Sequence, residues 1–224
     1  MNYNYNGDMK LTRLLILLLP FILPGVSCSR AEPKILFGFI ELIYYQGRGG
    51  PEERYSFFIL PEDDDGVENL SELYLYHDRE GLRWFFDSGD WVKHEEDGKT
   101  WIGSRNIAMY DNAAMPRGQY RAVLSNKGGE STERRFIYDG PEDPPYEFPV
   151  LSLGEGSYHI DSRYPVNRLI CYDQQGNTVQ ILALSEKEGE LRMLRFQNSV
   201  RTVALWAEDP EYHVSALTDA AAIR

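Results

Sequence analysis

Cysteine is almost absent from this chain: Cys28 and Cys171 are the only two in 224 residues. A multi-bridge disulfide framework, of the kind that holds small secreted domains together, is therefore excluded. Histidine is scarce too. His77, His94, His159 and His213 are scattered without metal-ligand spacing, and the chain has no Walker loop, dinucleotide-binding glycine fingerprint or zinc pattern. Neither an enzyme nor a bound cofactor is expected. Positive charge is also short, with a formal net charge of -12. Such a surface repels phosphate backbones, which argues against nucleic acid as a partner. Long apolar runs are missing, with one exception near the start.

That exception begins after Lys10 and Arg13, with six consecutive aliphatic residues from Leu14 to Leu19, continued past Pro20 by Phe21, Ile22 and Leu23. Small residues follow at Gly25 and Ser27, the layout of a secretory signal peptide over residues 1–27. A membrane-spanning helix wants about 20 mostly apolar residues, and Pro20, Pro24 and Gly25 interrupt this one. The opening MNYNYNGD fits no signal pattern, so Met9 is the expected true start. Loss of residues 1–27 removes Asp8, Lys10 and Arg13 and takes the net charge to about −13.

A cysteine directly after such a region resembles the lipobox of bacterial lipoproteins, in the relaxed form found in spirochaetes. Ser27 and Val26 suit the two positions before Cys28, while Gly25 departs from the usual leucine. The resemblance covers the first 28 residues only. It implies that Cys28 is the first mature residue, carries the lipid, and tethers the protein through residues 28–33 to a membrane of the cell envelope. The periplasmic face or the outer membrane is the expected address, and Ser29, in place of an aspartate, favours the outer membrane. Two alternatives stand beside it: a soluble secreted product cleaved after Ser27 or Ala31, and a Cys28–Cys171 disulfide. Lipidation consumes the Cys28 thiol and leaves Cys171, flanked by apolar residues in RLICYD, as a small buried hydrophobe.

The body reads as strands throughout, an all-β fold. Apolar and aromatic runs of sandwich-like spacing recur between Gly, Asp, Asn and Pro clusters. KILFGFIELIYY is apolar on both faces and reads as central. YSFFIL, ELYLYH, LRWFF, DWVKH, NIAMY, QYRAVLS and ERRFIYD follow, and after the proline-rich DGPEDPPYEFP come PVLSL, SYHID, VNRLICYD, TVQILALS, ELRMLRF, VRTVALWA and YHVSAL. Stacked prolines cannot continue a central strand and stiffen a connector. The expected organisation is therefore two antiparallel β-sandwich modules in series, 34–139 and 150–224, joined by a linker at 140–149.

MPRGQYRAVLSNKGGESTERRFIYD resembles the closing hairpin of immunoglobulin-like domains. In those domains a tyrosine just after a turn bonds its hydroxyl back to the preceding backbone. The resemblance gives that part to Tyr120, offers Trp84 as the core tryptophan and implies immunoglobulin-like sandwiches for the two modules; the bridging cysteines of antibody domains are absent.

Few residues carry candidate chemistry. With Gly66 as the sixth position of a calcium loop, Asp63, Asp65 and Glu72 fall on the third, fifth and twelfth, but Pro61 occupies the first. An acidic, solvated turn is the simpler reading. Glu155, Ser157, His159 and Asp161 share one side of a strand, where side chains two apart point in parallel and do not converge on a triad. The most suggestive segment is WFFDSGDWVKHEEDGKTW. Its Trp84, Trp91 and Trp101 among carboxylates suit stacking against sugar rings, anchoring a protein partner, or simple core filling. The expected role is a non-catalytic envelope lipoprotein that binds a protein partner, with a carbohydrate- or peptidoglycan-binding module on residues 84–101 as the alternative.

Overall fold

The computed structural model describes residues 31–47 and 49–223; the expected signal segment, Cys28 and the expected tether as far as residue 30 lie outside that range. Residues 31–224 form one compact unit. Among the described residues no helix is long and apolar enough to cross a membrane. The regular elements are strands, with three short 3-10 turns between them.

Alternating burial dictates the strands. β1 (Lys34–Gly47) turns Ile40, Leu42 and Tyr44 to one side and Phe39 and Glu41 to the other. It forms a long antiparallel pair with β2 (Gly50–Glu62), which buries Tyr55, Phe57 and Ile59 on the same side. β3 (Leu70–His77), β4 (Leu82–Asp87), β5 (Val92–Glu96) and β6 (Lys99–Ile107) follow, then β7 (Gly118–Asn126) and β8 (Ser131–Tyr138). Ahead of β3 the chain makes a single 3-10 turn at Val67–Asn69. Beyond the prolines come β9 (Val150–Leu153), β10 (Ser157–Asp161), β11 (Val166–Tyr172), β12 (Thr178–Ala183), β13 (Glu188–Glu190), β14 (Thr202–Asp209), β15 (Val214–Leu217) and the short β16 (Ala221–Ala222).

These strands form three sheets. The largest has nine strands, ordered β12-β11-β14-β15-β1-β2-β6-β5 with β16 beside β14. A four-stranded sheet β4-β3-β7-β8 and a three-stranded sheet β13-β10-β9 complete the set. Among the described residues, both small sheets pack on the same face of the large one. Leu73, Leu75, Tyr120 and Leu124 of the four-stranded sheet join Leu42, Tyr44, Tyr55 and Phe57 in the main core. Tyr158 and Ile160 of β10 pack on Leu205 of β14, and Leu169, Cys171 and Val203 are buried beside them. Gly38 and Gly103 permit close approaches between the layers and within the sheet: a Cβ at Gly38 would meet the Phe136 ring at 2.6 Å, and one at Gly103 the Phe57 carbonyl oxygen at 2.0 Å.

The expected division at 140–149 is not where the molecule divides. β1, from before the prolines, pairs in parallel with β15, from after them, with Leu42 opposite Val214 and Tyr45 opposite Leu217. Nor is the proline-rich segment a free connector. Arg117 holds the Pro141 carbonyl, Tyr146 donates its hydroxyl to Asp209 at 2.7 Å, and Tyr146 and Phe148 pack against the main core. Two expected strands also differ. NIAMY at 106–110 contributes only its first two residues to β6, after which the chain runs irregularly to β7. ELRMLRF gives a 3-10 turn at Leu191–Leu194, because Leu191, Leu194 and Phe196 are drawn down onto the second core instead of alternating.

Candidate functional site

Among the described residues no further layer lies over the outer face of the nine-stranded sheet around Phe39, Trp101 and Trp206. Its two wings meet in a groove of about 390 Å³. One wall comes from Phe39 and Glu41 of β1, Ser56 and Phe58 of β2, and Trp101 and Arg105 of β6. His94 and Glu96 of β5 close that side. The opposite wall is made by Arg168 and Ile170 of β11, Ile181 of β12 and Trp206 of β14. The period-two alternation that buries Leu42, Phe57, Ile102, Leu169 and Leu205 inward sends these neighbours outward.

The rings pack against each other at angles. Phe39 and Phe58 stack with centroids 5.9 Å apart, and Trp101 tilts by 53° against Phe39 at 5.7 Å. The Arg105 guanidinium lies 5.7 Å from the centre of the Phe58 ring. Across the groove Arg168 pairs with Glu208, which also accepts from Trp206 Nε1 at 3.4 Å. The floor is dry where Phe58 and Ser56 sit, yet Phe39 is 41% and Ile181 57% exposed. Glu41 is half-buried on β1. Burial pushes its carboxyl above the ordinary range, Glu208 adds to the effect and His213 opposes it.

The three tryptophans expected to act together are separated. Trp101 lines the groove. Trp84 on β4 faces inward, half-buried against the main core, and donates Nε1 to the Ala108 carbonyl at 3.1 Å. Its neighbour Phe85 takes the opposite face and rests on Tyr74, centroids 4.8 Å apart. Trp91 is a core residue, 6% exposed. The groove residues missed by sequence reasoning are Phe39, Glu41, Phe58, Arg105, Arg168 and Trp206. The available signal was Glu41, a charge inside a run otherwise apolar on both faces.

The acidic turn is organised by its own hydrogen bonds. Asp63 accepts from the Asp65 N–H at 2.9 Å, from Asn69 Nδ2 at 2.9 Å and from Asn126 Nδ2 at 3.3 Å. Glu72 stands on β3, opposite Asp87 and Ser125. Among the described residues no three His, Cys, Asp or Glu side chains are grouped to hold a metal ion. Ser157, His159 and Asp161 are all exposed on one face of β10, and His159 sits 3.7 Å from Glu188 on β13. Tyr120 donates its hydroxyl to the Pro116 carbonyl, four residues upstream. Cys171 is fully buried, its thiol pushed up to about 11 by burial, so it stays protonated and unreactive.

No family model matches the chain, and no curated protein is significantly similar to it. Several solved structures are similar in part, two of them as follows. Dimeric latent PorU from Porphyromonas gingivalis shares 14% identity at a TM-score of 0.36, over 89% of this chain and 21% of that one. Murine CEACAM1b shares 8% identity at a TM-score of 0.26, over 83% of this chain and 99% of that one. The chain thus spans about a fifth of the length of the first. Likeness this distant carries no argument about function.

The groove's serine and histidine, Ser56 and His94, lie on strands separated by β6 and share no hydrogen bond among the described residues.

Proposed function

We propose that this chain is a non-catalytic envelope lipoprotein, anchored through Cys28, that binds a protein partner on the outer face of its nine-stranded sheet. The observation that carries the reading is the groove itself. Partly exposed Phe39, Trp101 and Trp206 stand together on a face that, among the described residues, no other layer covers, beside Arg105 and Arg168. Aromatic residues and arginine are enriched where proteins bind each other. The anchor is supported by the signal layout and the cysteine after it. The immunoglobulin-like character of the first half belongs to the same proposal, supported by the Tyr120 hydroxyl bonded to the Pro116 carbonyl.

A glycan ligand is the second reading, favoured by Trp101 beside carboxylates. It is weakened because Trp84 and Trp91 do not join Trp101, and because the rings are tilted instead of forming a flat platform.

Two measurements test the proposal. A photo-crosslinking residue at position 39, in intact cells, is expected to capture one discrete protein, and Trp101→Ala with Trp206→Ala to abolish the capture; recovery of glycan alone overturns it. Radiolabelled fatty acid is expected to mark wild type and not Cys28→Ala. An unlabelled wild type refutes the anchor.

A further inference from the structure

Glu41 is out of balance with its surroundings. It is half-buried in the groove, and among the described residues it neither accepts a hydrogen bond nor pairs with a cation. A carboxylate partly withdrawn from water gains from a cationic partner. The other charges at the groove are provided for. Glu208 has Arg168 and Trp206 Nε1, while Arg105 and Glu96 are exposed and keep their water. His213, the group that opposes the shift at Glu41, is itself exposed on the turn before β15. What Glu41 lacks is a positive charge.

Its neighbours are suited to one. Phe39, Phe58, Trp101 and Trp206 line the same groove, and aromatic faces attract ammonium and guanidinium groups. Arg105 over Phe58 is a case already present in the fold. The whole chain, at -12, draws cationic partners toward it and repels anionic ones.

We infer that the groove takes a lysine or arginine side chain from an extended, basic segment of the partner protein, with Glu41 as counter-ion and Phe39, Trp101 and Trp206 as aromatic walls. The inference rests on the protein-partner reading and narrows it. A sugar ring fits less well, because Trp101 is tilted by 53° against Phe39 instead of forming a flat platform with it. An anionic segment would have only exposed Arg105 to meet and would bring its charge up to Glu41.

The test uses the full chain in detergent, titrated with an N-acetylated, C-amidated pentapeptide of alternating lysine and glycine, and followed by tryptophan fluorescence and calorimetry. The glutamate analogue and a tetramer of N-acetylglucosamine serve as competing probes. The lysine peptide is expected to bind, with affinity falling as salt rises. Glu41→Gln is expected to weaken it about ten-fold, the joint loss of an ion pair and its support of a cation–π contact. Glu68→Gln, an exposed carboxylate paired with Lys93 away from the groove, is expected to leave it unchanged. Absence of lysine-peptide binding, equal binding by Glu41→Gln, or preference for the glutamate peptide or the glycan overturns the inference. The salt dependence of wild type makes the result independent of how well the variant folds. If the peptide fails while crosslinking at position 39 still captures a protein, only the basic-segment inference falls; if both fail, the partner reading falls with it.

Discussion

Arg117 ties together segments that are far apart in the chain. It is 14% exposed, its partner Glu53 10%, and the two make a bidentate pair at 2.7 and 3.0 Å. The same guanidinium also donates to the carbonyls of Met115 and Pro141, tying the proline-rich segment to β2. Burial alone would lower its pKa; the hydrogen bond and charge of Glu53 outweigh that and raise it. Arg117→Ala strands a buried carboxylate and two carbonyls and is expected to cost about 3–5 kcal/mol in a denaturant titration. Replacing both partners, Arg117→Met with Glu53→Met, is expected to recover much of that loss, because no uncompensated charge remains. Little in the sequence distinguishes Arg117 from its exposed neighbours in charge-rich loops. What singles it out is proximity to Glu53, 64 residues away.

At the scale of elements, turn chemistry was the most legible part. The Asp63–Gly66 turn, the Asp173–Gly176 turn and the tyrosine after Arg117-Gly118 act within a few residues of their own position, so sequence alone locates them. The Asp63 turn makes a pH prediction. Burial nudges the Asp63 carboxyl upward, but hydrogen bonds from Asn69, the Asp65 N–H and Asn126 outweigh it and hold the pKa below the ordinary 3.8. A depressed folded pKa means the contribution is complete above the unfolded value and is lost as pH falls through the folded one. Thermal midpoints are therefore expected to be lower for Asp63→Asn than for wild type at neutral pH, with the two curves converging below pH 3.8. Parallel curves throughout would show that the turn is not so coupled. Strand existence was legible wherever alternation was clean, as in β3, β7 and β14. It failed at 190–196, where Leu191, Leu194 and Phe196 are pulled onto the second core by tertiary contact instead of alternating, and at 106–110, where β6 ends at Ile107 and Tyr110 is fully exposed.

For the whole molecule, the parallel β1–β15 pair is the decisive contact. It joins residues on either side of the prolines into one sheet, with Val214 and Ala216 packed in the same core as Leu42 and Tyr44. A fragment of residues 31–139 would leave the β1 edge unpaired and strip that cover from Leu42 and Tyr44. It is expected to lack a cooperative thermal transition, whereas residues 31–224 unfold in one. A fragment that gives dispersed amide resonances and its own sharp transition would restore the two-module organisation.

The sequence by itself determined that this is an all-β chain and where most of its turns lie, because period two and turn-forming residues are local properties. It also singled out Trp101, and it carried the signal layout before Cys28. Only the tertiary structure decided that Trp84 and Trp91 face the core while Phe39, Glu41 and Trp206 meet Trp101 in a groove. Those side chains come from strands far apart in the chain, and their meeting depends on strand order and on the curl of the sheet. Neither leaves a mark within any single segment.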